Sequence, residues 1–239
     1  RFKLINADKI IMGQKINPKS FRLGIIKNWP VRWFFPAKAG RSLYPMYLAE
    51  DEAIRNLIEE KLNQAGIAGI EIERTLNSLR IFIKAARPGF IIGRGGKGIE
   101  EFTKTLETQL KKMRDAKSQI SVSLNVEELK RSEISAQYIA QQIAWDLEKR
   151  MPFRRTMKKY LEQIMQNKEA KGAKILLSGR LDGGEIARSE SLKKGSLPLQ
   201  NLRAEIDYGQ ATAFTTYGTI GIKIWIYKGE VFSKAISKP

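Results

Sequence analysis

The chain has 239 residues, 42% of them apolar, and carries 43 Lys and Arg against 25 Asp and Glu, a formal net charge of +18. That length holds one large domain or two small ones with true cores, and a positive excess of that size points to a polyanionic partner, most often nucleic acid. Cys and His are both absent, which excludes disulfides, thiol nucleophiles and cysteine-ligated zinc and removes the commonest general base and transition-metal ligand.

No stretch approaches the length of a membrane span, and no secretory apolar region is present. Residues 1–11 precede Met12 and read as an N-terminal extension. Residues 12–43, with several prolines, Trp29, Trp33 and Phe34-Phe35, read as an arm with little regular structure that packs on something else. Helical spacing begins near Tyr47 and puts Ile54, Leu57, Ile58, Leu62 and Ala65 on one face, with Gly66 as the C-cap residue. Ile67, Ile70 and Ile72 lead a first strand, and Asn77-Ser78 turns the chain. Leu79, Ile81 and Ile83 then alternate with Arg80, Phe82 and Lys84 in a second strand. Pro88 opens a short helical turn, a glycine-rich loop follows, and Ile99, Phe102, Leu106, Leu110 and Met113 mark the next helix. Residues 118–126 alternate again, with Ile120, Val122, Leu124 and Val126 on one face.

From Ser132 the organisation changes. Ile139, Ile143 and Leu147, flanked by Ala136, Ala140 and Ala144, make a helix that Pro152 interrupts. A second begins at about Phe153, with Met157, Leu161, Ile164 and Met165 on its apolar side. Strands are expected at 174–178, 202–208 and 220–227. In the last, Ile220, Ile222, Ile224 and Ile226 alternate with Gly221, Lys223, Trp225 and Tyr227, so one face is buried and the other polar or aromatic. The expected class is α+β.

Three constellations carry chemistry. Gly93-Arg94-Gly95-Gly96-Lys97-Gly98 is a glycine turn with two cations ahead of a helix, a geometry that lets backbone approach phosphate and aims helix N–H groups at it. It matches Gly-x-Gly-x-x-Gly, but Arg87-Pro88-Gly89 separates it from the preceding strand and Glu127 is too far on for the ribose-binding acid, so a dinucleotide site is disfavoured. It also matches Gly-x-x-Gly, the loop with which KH modules clamp about four nucleotides of backbone. The type II KH order, αββααβ with that loop between consecutive helices, is the order read above for residues 47–126. In the second constellation, Arg154, Arg155, Lys158 and Lys159 share one helix side opposite Phe153, Met157 and Leu161, with no acid three or four residues ahead of Arg154 or Arg155 to neutralise them. The third, 178–190 with Lys193-Lys194-Gly195, reads as a loop contacting nucleic-acid backbone through Arg180 and Arg188, its Asp182 and Glu185 in salt bridges with those arginines and not a metal site. No catalytic residue, metal or cofactor emerges.

These strings resemble, in order, those of the bacterial small-subunit ribosomal protein S-three family. The resemblance runs through Met12-Gly13-Gln14-Lys15-Ile16-Asn17-Pro18, Phe21-Arg22-Leu23-Gly24, Ala86-Arg87-Pro88-Gly89 with the glycine loop, and Phe153-Arg154-Arg155. It continues through Gly179-Arg180-Leu181, Pro198-Leu199-Gln200-Asn201-Leu202-Arg203-Ala204, and Thr216-Tyr217-Gly218 up to Glu230. It implies a type II KH domain at 44–128, a second α+β domain with a mostly antiparallel sheet at 129–230, and a tail at 231–239. It further implies a non-enzymatic part of the ribosome, cytoplasmic or in an organelle of bacterial descent. Such a protein binds small-subunit rRNA in the head beside ribosomal proteins S-ten and S-fourteen, with no homo-oligomer. Arg154, Arg155 and Lys158 would touch mRNA where it enters the subunit. Gly95 stands where the family commonly has a basic residue.

Overall fold

The computed structural model describes residues 15–34, 44–75, 78–113, 121–129 and 134–232. The extension at 1–11, Asn77 of the expected turn, Ile120 of the expected strand, Ser132 and most of the 231–239 tail lie outside the described residues.

The first unit is built from α2 (Tyr44–Lys61), β1 (Ile67–Arg74), β2 (Ser78–Ala85), α3 (Gly89–Ile92), α4 (Lys97–Met113) and β3 (Ser121–Glu128), preceded by a one-turn helix α1 (Pro18–Phe21) in the arm. The strands form a sheet in the order β1-β2-β3, antiparallel between β1 and β2 and parallel between β2 and β3. Period two puts Ile72 and Leu79, Ile81 and Ile83 on the face where Ile54 and Ile58 of α2 and Phe102, Leu106 and Leu110 of α4 pack, all within one buried cluster. Each such aliphatic side chain removed from water contributes about 1.5–3 kcal/mol. Met113, expected on the apolar face, is 40% exposed at the C-terminal end of α4. Gly66 is left-handed as expected of a cap, but a short 3-10 turn at Asn63–Ala65 separates it from α2.

The second unit contains α5 (Ala136–Glu148), α6 (Phe153–Gln166), β4 (Gly172–Gly179), β5 (Arg188–Gly195), β6 (Ala204–Thr215) and β7 (Gly218–Glu230). Its sheet is antiparallel throughout, in the order β5-β4-β7-β6. The fold is therefore α+β, a type II KH arrangement followed by an α+β unit. One sheet face is covered by α5 and α6, where Ile143, Met157 and Ile164 meet Ile175, Leu177, Ile222 and Ile224. The expected loop over 188–195 is instead the edge strand β5. Its register on β4 turns Arg188, Glu190, Leu192 and Lys194 to the helix-covered side, and only Leu192 of these is apolar, so its sequence lacks apolar alternation. The expected strand from Leu202 starts at Ala204, since 202–203 form a turn. The opposite edge, β6, is guarded by α5. Gln137 donates to the Gln210 carbonyl and accepts from its N–H at 3.0 and 3.2 Å, and Glu148 accepts from Phe214 N–H at 3.1 Å.

The arm straps both units. Arg22 is fully buried at the end of α1, and its guanidinium donates to the carbonyls of Ala204 (2.7 Å), Pro18 (3.0 Å), Leu199 (3.0 Å) and Asn201 (2.8 Å). Farther on, Arg32 N–H donates to Ile72 O at 2.9 Å and Ile72 N–H to Pro30 O at 3.1 Å, so the arm runs beside β1. Trp33 Nε1 donates to Asp51 at 2.7 Å, and Asp51 with Glu50 holds the buried Arg74. Between the units, Tyr138 of α5 packs so tightly on Gly66 that a Cβ there would lie 2.4 Å from its ring.

Candidate nucleic-acid interface

The glycine loop is an outward projection between α3 and α4. Gly93, Gly95 and Gly96 have φ of 69°, 65° and 79°, a region that costs other L-residues about 1–2 kcal/mol. The glycines divide by function. A Cβ at Gly95 or Gly96 would meet nothing within 4 Å, whereas one at Gly98 would fall 2.8 Å from Ile91 O. Gly98 therefore serves the close packing of α3 on α4, and Gly95 and Gly96 leave an open approach to backbone. Arg94 and Lys97 are exposed on either side, and α4, 17 residues long, begins at Lys97 with the positive end of its dipole at the loop. Phe90 and Ile92, 60% and 39% exposed beside buried Ile91, put apolar surface next to the cations. Sequence reading missed these two. The signal was the odd placement of two large apolar residues flanking the single core residue of a one-turn helix.

The second candidate surface is the outer side of α6. Phe153, Thr156, Met157, Tyr160, Leu161 and Ile164 face the core, so Arg154, Arg155, Lys158 and Lys159 project outward and, with Glu162, line an open depression of about 420 Å³. The four cations are not equivalent. Arg154 Nε and Nη2 donate to both oxygens of Glu190 on β5 at 3.2 and 3.0 Å. That hydrogen bonding raises the Arg154 pKa and holds the Glu190 carboxyl below its ordinary range. The absence of a neutralising acid near Arg154 in sequence is thus corrected by an acid 36 residues away. Arg188 Nε lies 3.5 Å from the same carboxylate, and its guanidinium stands over the Phe153 ring at 5.7 Å, so the fold brings Arg188 to α6. Lys159 is drawn back towards Asp146 at 3.6 Å. That carboxylate also accepts from Tyr160 OH at 2.9 Å, and burial followed by this hydrogen bond pushes the phenol pKa upward. Among the described residues Arg155 and Lys158 make no ion pair.

Arg180 is differently engaged. Its Nε donates to Gly184 O at 2.9 Å and Nη1 to Tyr217 O at 2.8 Å, which ties the 181–187 turn to the β6–β7 hairpin. The expected salt bridges of Asp182 and Glu185 with Arg180 or Arg188 do not form, because Arg180 is committed to carbonyls and Arg188 to Glu190. Among the described residues no group of three or more acids could hold a metal, and no helix is long and apolar enough to cross a membrane.

Each unit overlaps one family model. One described as KH domain matches residues 53–134, and one described as Ribosomal protein S3, C-terminal domain, matches residues 143–226. Curated relatives align along nearly the whole chain. The small ribosomal subunit protein uS3 of Caldicellulosiruptor saccharolyticus is 50% identical over 220 residues, covering 92% of this chain and 94% of the relative. Those of Desulforamulus reducens and Helicobacter pylori are 49% and 47% identical over 224 and 225 residues. Each alignment spans 94% of this chain and 96% or 91% of the relative.

Proposed function

The chain belongs to the small ribosomal subunit protein uS3 family, and on that premise we propose that it holds rRNA in the head of the small subunit and guides mRNA where it enters. It is a structural, RNA-binding component of the ribosome and not an enzyme. In this reading the KH unit at 44–128 grips RNA backbone through Gly93, Arg94, Gly95, Gly96 and Lys97. The unit at 129–230 carries the mRNA-facing helix and sits beside ribosomal proteins S-ten and S-fourteen. The place of action is the ribosome of the cytoplasm or of an organelle of bacterial descent.

The observation that carries the mRNA role is the division of labour on α6. Its inner face is wholly committed to the core, and its outer face presents Arg155 and Lys158 without an ion-pair partner among the described residues, with Arg154 and Lys159 at the flanks. Phosphate contacts of this kind position a strand without reading its sequence. Arg188, held at the same surface by Glu190, extends it onto β5, and Arg180 acts by shaping the adjoining turn. Replacing Arg154, Arg155 and Lys158 by Ala tests the reading. Subunits are expected to assemble normally, to translate unstructured messages at the native rate, and to slow on messages with stable structure just downstream. Equal slowing on both message classes, or failure to enter the subunit, overturns the mRNA role and leaves rRNA binding.

A further inference from the structure

The sheet face that α5 and α6 do not cover has no role in the reading above. At one end Leu197 and Leu199 pack with Trp225 on the buried Ala204, Ile206 and Tyr227, and beyond them Lys193, Gln210, Phe214 and Lys223 are exposed. Register aligns Lys193 of β5 with Lys174 of β4, Lys174 with Trp225 of β7, and Trp225 with Tyr208 of β6, so these four side chains form one row across the sheet. The Trp225 and Tyr208 rings lie 5.5 Å apart at 48°, and Lys174 Nζ stands 5.6 Å from the Trp225 ring centre. Lys223, two residues along β7, adds an exposed third cation to the same face. The remaining outward positions of the four strands, one acid apart, are Gly, Ser, Thr, Gln, Leu, Phe and other uncharged residues. The acid on this face is Glu230, in register with Ala204 at its far end and held there by a 2.8 Å hydrogen bond from Asn201 Nδ2.

Two of these facts are unfavourable for a free protein. Lys174 and Lys193 are like charges placed directly opposite on an antiparallel pair, which is destabilising. Trp225 is a large ring left partly exposed at the centre of a sheet. A lysine on an edge strand is often only a guard against strand pairing, and that explains Lys193 alone. It does not explain Lys174 on β4 or Lys223 on β7, which are both interior strands.

We propose that this face is a second RNA surface, separate from the glycine loop and from α6. An unpaired segment of RNA stacks a base on the Trp225 edge of the aromatic pair while its phosphates lie against Lys174, Lys193 and Lys223. Aromatic rings accept any base, and a cation groove tracks the backbone, which is how sequence-tolerant single-strand surfaces work. The surface has a boundary. Towards β6 it opens into a cleft shared by Lys223 and Gln210 with Glu59, Glu60 and Glu148, and those acids repel phosphate, confining the strand to the β5–β4–β7 side. The proposal rests on the chain's place among RNA-bound proteins but not on the mRNA role of α6.

The test uses the full chain with a labelled oligouridylate, in a background in which Arg94→Asp and Gly95→Asp silence the loop. RNA is expected to quench tryptophan emission, and Trp225→Phe is expected to abolish most of that quench. Changing Lys174, Lys193 and Lys223 together to Gln should reduce the slope of log affinity on log salt by about 2, since each neutralised phosphate of a single strand contributes about 0.7. Ultraviolet crosslinking of the unmodified chain in assembled subunits, read by mass spectrometry, should place rRNA on the 218–230 strand without any variant. An unchanged slope and quench, or crosslinks from that strand to a neighbouring protein and none to RNA, overturns the proposal. Failure of the native chain to co-sediment with small subunits would instead overturn the ribosomal reading.

Discussion

Arg154 and Glu190 meet across α6 and β5 in a two-pronged hydrogen-bonded pair, Nε to Oε2 at 3.2 Å and Nη2 to Oε1 at 3.0 Å. Both side chains are at the surface, so the pair does little for stability. Its consequence is positional. Glu190 holds one cation of the α6 surface in a fixed orientation and sets a negative charge beside the rest, with Arg188 gathered into the same cluster.

Glu190→Gln should therefore strengthen, not weaken, the hold of this surface on RNA. Releasing Arg154 to bind one more phosphate steepens the salt dependence on a single strand by up to about 0.7 in log–log slope. The Glu190 carboxyl lies below its ordinary range, chiefly through its hydrogen bond from Arg154. It stays ionised at neutral pH, so the difference between native and variant should be flat across neutral pH and vanish only in acid. Binding titrations over salt and pH check this, and a weaker-binding variant would show that the pair organises the surface instead of restraining it.

At the glycine loop, the two kinds of glycine should separate in their effects. Arg94→Asp with Gly95→Asp leaves the fold intact, because a Cβ at Gly95 meets no atom and Asp tolerates the left-handed region better than most residues. RNA affinity of the chain should nonetheless fall about tenfold, equivalent to about 1.4 kcal/mol. Gly98→Ala should instead destabilise by about 1–3 kcal/mol, since its Cβ would press on the Ile91 carbonyl. Thermal melting and RNA titration of the two variants check the division. A loop variant that melts early and binds normally would make the loop a structural turn.

What could be read from sequence were the features that repeat at short range. Ile54 and Ile58, Phe102, Leu106 and Leu110, and the four alternating isoleucines of 220–226 declared their helices and strand because each buries one face with its own period. The loop with Arg94 and Lys97 was visible because turn chemistry is local. Strand β5 was not, since an edge strand whose half-buried residues are Glu190 and Leu192, only one of them apolar, carries no alternation to detect. The partners of Arg154, Arg22 and Arg74 were equally hidden. Each is joined to its acceptors by tertiary folding, Arg22 to Ala204 across 182 positions, and charge patterns along the chain say nothing at that distance.

Arg22 gives a prediction about the arm. A buried guanidinium fork satisfies four carbonyls from three stretches of chain, and no lysine ammonium can reach all of them. Arg22→Ala should cost on the order of 3 kcal/mol through carbonyls left unsatisfied, and Arg22→Lys should recover only part of it. Limited trypsin digestion should release the arm at Lys19 and Lys27 from the variant well before it cuts the helices, while the native chain is cut at similar rates in both regions. Equal protection of the arm in variant and native chain would mean that Trp33 and Arg32 alone hold the segment in place.

Asp207 joins the arm to α5 and should give the second unit a distinct acid response. Its side chain is 15% exposed, lies 3.3 and 3.6 Å from Lys19 and Lys27, and accepts from the Ala136 N–H at the start of α5 at 2.7 Å. Burial alone would raise its pKa, but the two lysines and the N–H outweigh burial, and the carboxyl is held below its ordinary value. A carboxyl whose pKa is lower folded than unfolded binds fewer protons in the folded state. Its stabilising contribution is therefore complete above the unfolded value of about 3.9 and fades as pH falls through the lower folded value. Asp207→Asn should destabilise the chain by about 1–3 kcal/mol at pH 7, where it strands two lysine charges while keeping an acceptor for Ala136. The gap between native and variant should then narrow below about pH 4, as the native carboxyl takes up its proton and both chains carry a neutral group at this position. Urea unfolding at a series of pH values measures that gap directly. A gap that stayed constant into acid would mean that the charge of Asp207, and with it Lys19 and Lys27, contributes nothing to the difference.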